Sequence, residues 1–117
     1  MITSVQNPKI QAVRKLQSQP RQRREQGVFV VEGGRLVEEA LAAGWQAELV
    51  LYTPDLSERG ARVVQGFAAQ GAPLEEVSVN VMEAASDTQT PQGVLAVLQE
   101  RMLPLPARLY FVLVVDG

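Results

Sequence analysis

The chain has 117 residues, 46% of them hydrophobic, and a formal net charge of −2. This is the length of one domain, with apolar content enough for one packed core. It contains neither Cys nor His, which excludes disulfides, thiol nucleophiles and the common zinc sites, and removes histidine as a general base.

Ser4 to Gln17 is predicted as a short helix. Asn7 can cap it, and Pro8 suits its first turn because a missing N–H has no intrahelical partner there. Ile10, Val13 and Leu16 recur at helical spacing, and Arg14 and Lys15 point away from that stripe. Ser18 to Gln26 is polar, contains Pro20, and reads as a loop carrying Arg21, Arg23 and Arg24. Val28 to Val31 is the first buried strand, ending in Glu32-Gly33. A helix is predicted from Gly33 to Ala43, with Gly44 as its stop. A strand at Glu48 to Tyr52 precedes a helix at Pro54 to Gln70, whose apolar face is Val63, Val64, Phe67 and Ala68. Leu74 to Val79 is the third strand. Asn80 and Glu83 stand at capping-box spacing at the head of a short helix ending at Ala85. Ser86 to Gln92 is a polar loop, and Gly93 to Leu98 is the fourth strand.

Strands alternating with helices predict an α/β fold, here a three-layer α/β/α sandwich with a mainly parallel sheet. Strands buried on both faces account for the nearly continuous apolar runs VFVV and VLAVL. Residues 1–99 form this domain. Residues 100–108, with Pro104 and Pro106, read as a stiff linker. Leu109 to Val115 is the most hydrophobic strand, and a strand this apolar belongs in the middle of a sheet. It is expected to open a second, truncated α/β domain at 109–117; the rival expectation is that it pairs into the first sheet as its last strand. The opening MITSVQNPKI lacks the apolar core of a signal peptide, and no apolar run approaches membrane-spanning length. A soluble cytoplasmic protein with no membrane partner is expected.

Charge is distributed unevenly. Residues 1–35 hold seven basic residues against two acidic ones, whereas residues 36–117 hold four against eleven. A basic third on an acidic body fits a directed polyanion site, and equally a solvated face. Arginine grips phosphate with paired N–H bonds and keeps its charge at any physiological pH. Arg21, Arg23 and Arg24, flanked by Arg14 and Lys15, could follow a phosphate backbone. No aromatic accompanies them, so base stacking is not indicated. In Glu32-Gly33-Gly34-Arg35 the glycines permit close backbone approach. Glu32 is expected as a helix-start carboxylate rather than a general base, because no second catalytic group accompanies it. The loop Asp87-Thr88-Gln89-Thr90-Pro91-Gln92-Gly93 is rigid and polar, and by composition alone an ordinary turn. No metal site and no catalytic residue are predicted in the chain.

Together these stretches resemble the opening of SpoU-type (TrmH-type) RNA ribose 2′-O-methyltransferases of the SPOUT superfamily. The resemblance runs through Ile2-Thr3-Ser4, Asn7-Pro8-Lys9 and Leu16, then Arg24, Gly27 to Gly33 and Leu36 to Ala40, and ends in Thr90 to Ala96. Gln11 stands where the family often carries Lys or Arg. The resemblance implies an N-terminal substrate-binding domain with the fold of kink-turn-binding ribosomal proteins, recognising RNA, ribosomal more than transfer. It implies S-adenosylmethionine (AdoMet) in a catalytic domain beyond Gly117, with no cofactor in this chain, and a parent that is a homodimer through that domain. Alone, the chain would be inactive. Carried over residue by residue, the RNA-facing candidates are Asn7, Lys9, Arg23, Arg24, Glu32, Gly33, Arg35, Thr90, Gln92 and Gly93, with Arg21 added on charge. Two other classes stay open: a stand-alone α/β module that docks an acidic protein, and a small stand-alone enzyme, which the lack of His, Cys and a paired constellation disfavours.

Overall fold

The computed structural model describes residues 1–87 and 93–100. The predicted loop positions Thr90 and Gln92, the linker past Glu100 and the strand and second domain at 109–117 lie outside the described residues. The elements in order are α1 (Pro8–Ser18), α2 (Pro20–Gln26), β1 (Val28–Glu32), α3 (Gly34–Ala42), β2 (Ala47–Tyr52), α4 (Glu58–Ala69), β3 (Leu74–Glu76), α5 (Val79–Ala85) and β4 (Val94–Gln99).

The sheet order is β1-β4-β2-β3. β2 and β3 are parallel, whereas β4 runs antiparallel to both β1 and β2. The sheet is therefore mixed, which corrects the expected mainly parallel one. β1, β2 and β3 do run in one direction, as helix crossovers require. β4 enters between β1 and β2 in the opposite sense. Its VLAVL run is apolar because of this central position and not because of strand direction. Along β4, Val94, Ala96 and Leu98 join the cluster with Val37, Val63 and Phe67 of α3 and α4. Leu95 and Val97 join the cluster with Ile10 and Val13 of α1 and Met82 of α5. Helices thus cover both faces, and the three-layer arrangement stands.

Three local expectations are corrected. The segment 20–26 is a helix, so Arg21, Arg23 and Arg24 sit on α2 and not on a loop. Its residues are good helix formers, Pro20 occupies the first turn, and Gly27 ends it in the left-handed conformation at φ 67°. α5 is capped by Ser78, whose hydroxyl accepts from the Val81 N–H at 3.3 Å, and not by Asn80. Glu32 belongs to β1 and is not a helix-start carboxylate. The first helix starts four residues later than expected, with Asn7 as its cap: Asn7 Oδ1 accepts from the Lys9 N–H at 2.9 Å. α4 likewise starts at Glu58, capped by Ser57.

Candidate nucleic-acid interface

Side chains alternate across a strand. On β1, Phe29 and Val31 face α3 and α4, while Val28 and Val30 face α1 and α5. Glu32 follows in the second series, which brings it against the ends of α1 and α5. There its carboxylate accepts from Gln17 Nε2 at 3.0 Å, from the Asp87 N–H at 2.9 Å and from the Ser86 hydroxyl. Gln17 Nε2 also donates to the Ala85 carbonyl at 3.1 Å. Glu32 is thus a half-buried carboxylate held by three donors of the same molecule. Gln17 and Ser86 were not singled out from sequence. The alternation of Val28, Val30 and Glu32 was the signal that could have pointed to them.

At this end of the sheet the ends of β1 and β2 meet the start of β4. Gly33, at φ 90°, donates its N–H to the Val94 carbonyl at 3.0 Å. Gly93, at φ 85°, accepts from the Thr53 N–H at 2.9 Å. A Cβ on Gly93 would lie 2.9 Å from Thr53 Oγ1. Gly93 therefore serves a backbone crossing that a side chain would obstruct, and both residues hold a positive φ that favours glycine. Arg35 stands exposed on the first turn of α3, next to this crossing.

The structure sorts the basic residues by whether a partner already holds them. Lys9 is ion-paired with Glu75 of β3. Arg21 pairs with Glu25 one turn on, at 3.4 Å, and Arg59 with Glu38 at 3.9 Å. Arg23 Nη1 donates to the Leu16 carbonyl at 2.5 Å and to the Gln17 carbonyl at 3.3 Å, so it closes the C-terminal end of α1. Among the described residues, Arg14, Lys15, Arg24, Arg35 and Arg62 are exposed and have no carboxylate partner.

Clefts among the described residues lie beside several of these side chains. One of about 420 Å³ runs beside β1, lined by Gln17, Arg23, Arg24, Phe29 and Asp87 among others. A second of about 390 Å³ lies between α1 and the end of α5, with Arg14, Lys15, Ser18 and Asp87. A third of about 330 Å³, at the sheet end, contains Thr53, Asp55, Glu83 and Gly93. The candidates thus divide. Gly33, Arg35 and Gly93 come together at the sheet end with Glu32 behind them. Arg23 and Arg24 line the first cleft. Asn7 and Lys9 lie at the far end of α1, and Arg21 is exposed on α2. No group of acidic residues among those described could hold a metal ion.

The described residues form a three-layer α/β/α domain that presents, beside a glycine crossing, arginines with no carboxylate partner among them. Its fold is shared with the Giardia lamblia 15.5kD RNA binding protein, at a TM-score of 0.59 and 16% identity, over 92% of this chain and 80% of that one. The chain belongs to the MRM3-like substrate binding domain family, whose model matches residues 7–96. It is 34% identical over 97 residues to an uncharacterised tRNA/rRNA methyltransferase of Synechocystis, covering 83% of this chain and 35% of that protein. An rRNA methyltransferase from Sinorhizobium meliloti superposes with a TM-score of 0.74 at 29% identity, over 88% of this chain and 38% of that one. An RNA 2′-O ribose methyltransferase matches with the same TM-score at 31% identity, over 90% and 39%. The chain spans just over a third of the length of these relatives.

Proposed function

We propose that this chain is the RNA-recognition domain of an AdoMet-dependent ribose 2′-O-methyltransferase acting on ribosomal RNA in preference to transfer RNA. The observation that carries this reading is the pairing state of the arginines within a family-matched domain. Among the described residues Arg24 and Arg35 are exposed and have no carboxylate partner, and Arg35 adjoins the Gly33–Gly93 crossing. Unpaired guanidinium groups are free to take phosphate oxygens, and folded RNA is read through its backbone, 2′-hydroxyls and exposed loops.

The similar S. meliloti enzyme has been seen with AdoMet bound. In this chain the first cleft is walled by Arg23, Arg24, Val28, Phe29 and Glu100 among others, the second by Arg14, Lys15 and Ser86 among others, and the third by Thr53, Asp55, Met82 and Glu83 among others. No methyl-transfer step is assigned to these residues. In this reading the methyl donor and the homodimer contact belong to a catalytic domain beyond the substrate-binding one, and the parent works in the cytoplasm. Asn7, Lys9, Arg21, Arg23, Glu32 and Gly33 act mainly by shaping the surface. Arg24, Arg35 and Gly93, with Thr90 and Gln92, meet the RNA.

The test is a titration of the chain against ribosomal RNA and transfer RNA at two salt concentrations, with Arg24→Gln/Arg35→Gln beside the unaltered protein. Binding should favour ribosomal RNA, and the variant should bind more weakly with a shallower salt dependence. Equal binding by variant and parent would remove these two arginines from the interface.

A further inference from the structure

We propose that Arg14 and Lys15 of α1 form a second phosphate-binding track, in the cleft between α1 and the end of α5, with the Asp87 carboxylate as an electrostatic brake. This rests on the RNA-binding reading above and adds a stretch of RNA backbone along α1.

Three observations point there. Arg14 and Lys15 are adjacent, exposed and without a carboxylate partner among the described residues. They line a cleft of about 390 Å³ together with Gln11, Gln17 and Ser18. That cleft shares Gln17, Ser18 and Asp87 with the cleft that carries Arg24. One backbone strand crossing at Ser18 would therefore meet Arg24 on one side and Arg14 and Lys15 on the other. α2 is fixed at this corner by Arg23 on the last carbonyls of α1, which holds the two clefts in register.

Three features oppose an anion here. The carbonyl ends of α1 and α5 carry partial negative charge, Asp87 is exposed in both clefts, and the Glu100 carboxylate is exposed in the cleft that carries Arg24. Lys15 lies in the last turn of α1, where a purely structural lysine would offset the first feature. The structural role and the phosphate role give different readouts. The first moves stability alone; the second moves the number of counterions released on binding.

The experiment uses the full chain, a fluorescent RNA hairpin with an internal loop, and poly(U) as an unstructured probe. Arg14→Gln/Lys15→Gln keeps side chains of good helix propensity, and circular dichroism checks that the fold is retained. For this double variant the slope of log affinity against log salt should become shallower by about 1.4 to 1.8, from ~0.7–0.9 per phosphate contact. Affinity at low salt should fall by about tenfold or more. Asp87→Asn should bind a few-fold more tightly than the parent, because it removes the like charge while its backbone N–H stays on Glu32. A double variant with the parental slope overturns the track. If that occurs while Arg24→Gln/Arg35→Gln loses affinity, the RNA reading survives and only this inference fails. Absence of salt-dependent binding by the parent overturns both.

Discussion

The side-chain amide of Gln17 bridges Glu32 Oε2, at 3.0 Å, and the Ala85 carbonyl, at 3.1 Å, and so joins α1, β1 and α5 through one nitrogen. Glu32 in turn holds Ser86 and the Asp87 N–H. The carboxylate at the end of β1 is therefore committed inside the molecule, although its sequence setting, Glu-Gly-Gly-Arg, places it at an exposed-looking junction.

Glu32→Ala should destabilise the chain, because it removes the acceptor that ties Gln17 of α1, the Ser86 hydroxyl and the Asp87 N–H to the end of β1. The expected loss is about 1–3 kcal/mol, or a fall in Tm of roughly 4–8 °C for each kcal/mol. Amide exchange at Asp87 should accelerate in parallel. A variant with parental Tm and unchanged Asp87 exchange, but no RNA binding, would make Glu32 a direct RNA contact instead.

Arg21 and Arg23 sit two residues apart on α2 and should respond differently to removal. Arg21→Ala breaks an exposed i,i+4 pair and should change stability by less than about 0.5 kcal/mol. Arg23→Ala uncovers the Leu16 and Gln17 carbonyls and should cost about 1–3 kcal/mol, a charged donor being lost. Urea unfolding of the two variants measures this directly. Equal midpoints would show that the Arg23 contacts contribute nothing.

The arginines were legible in the sequence as a charge cluster but not as a helix. PRQRREQ has no apolar periodicity, and buried stripes are what a helical pattern reports. The signals present were subtler: Pro at the first helical position, strong helix formers after it, and Gly27 to end it. The helices and strands that bury a face, such as Val63 to Phe67 and Val94 to Leu98, were found within a few residues. The direction of β4 was not, since both-face burial makes a strand apolar whichever way it runs. Pairing states were invisible for a different reason. Lys9 meets Glu75 across 66 positions, and Lys15 on the same helix differs from it in what the fold sets nearby.

The same blindness to tertiary context misassigned the cap of α5, and two substitutions separate the alternatives. Ser78→Ala should cost about 1 kcal/mol, since it removes the acceptor of the Val81 N–H. Asn80 is exposed inside the first turn, so Asn80→Ala should be neutral or slightly stabilising through helix propensity. Thermal melts with the opposite ranking would return the cap to Asn80.

Where α3 crosses α4, Gly66 lets the helices approach: a Cβ there would run into the Leu41 side chain. Two effects compete in Gly66→Ala. Alanine improves helix propensity by about 1 kcal/mol. Overpacking of a helix crossing costs about 1–3 kcal/mol. Leu41 is half-buried and packs on the core cluster that contains Val37 and Phe67, so moving its methyl groups off the new Cβ gives up packing there. The overpacking should win, and Gly66→Ala should lower the urea midpoint. Leu41→Ala opens the space that the new methyl group needs. The double variant should therefore be more stable than the sum of the two single effects by about 1 kcal/mol or more, a coupling of the size expected for residues in contact. Strict additivity would mean that the crossing relaxes without strain and that Gly66 has no role in helix approach.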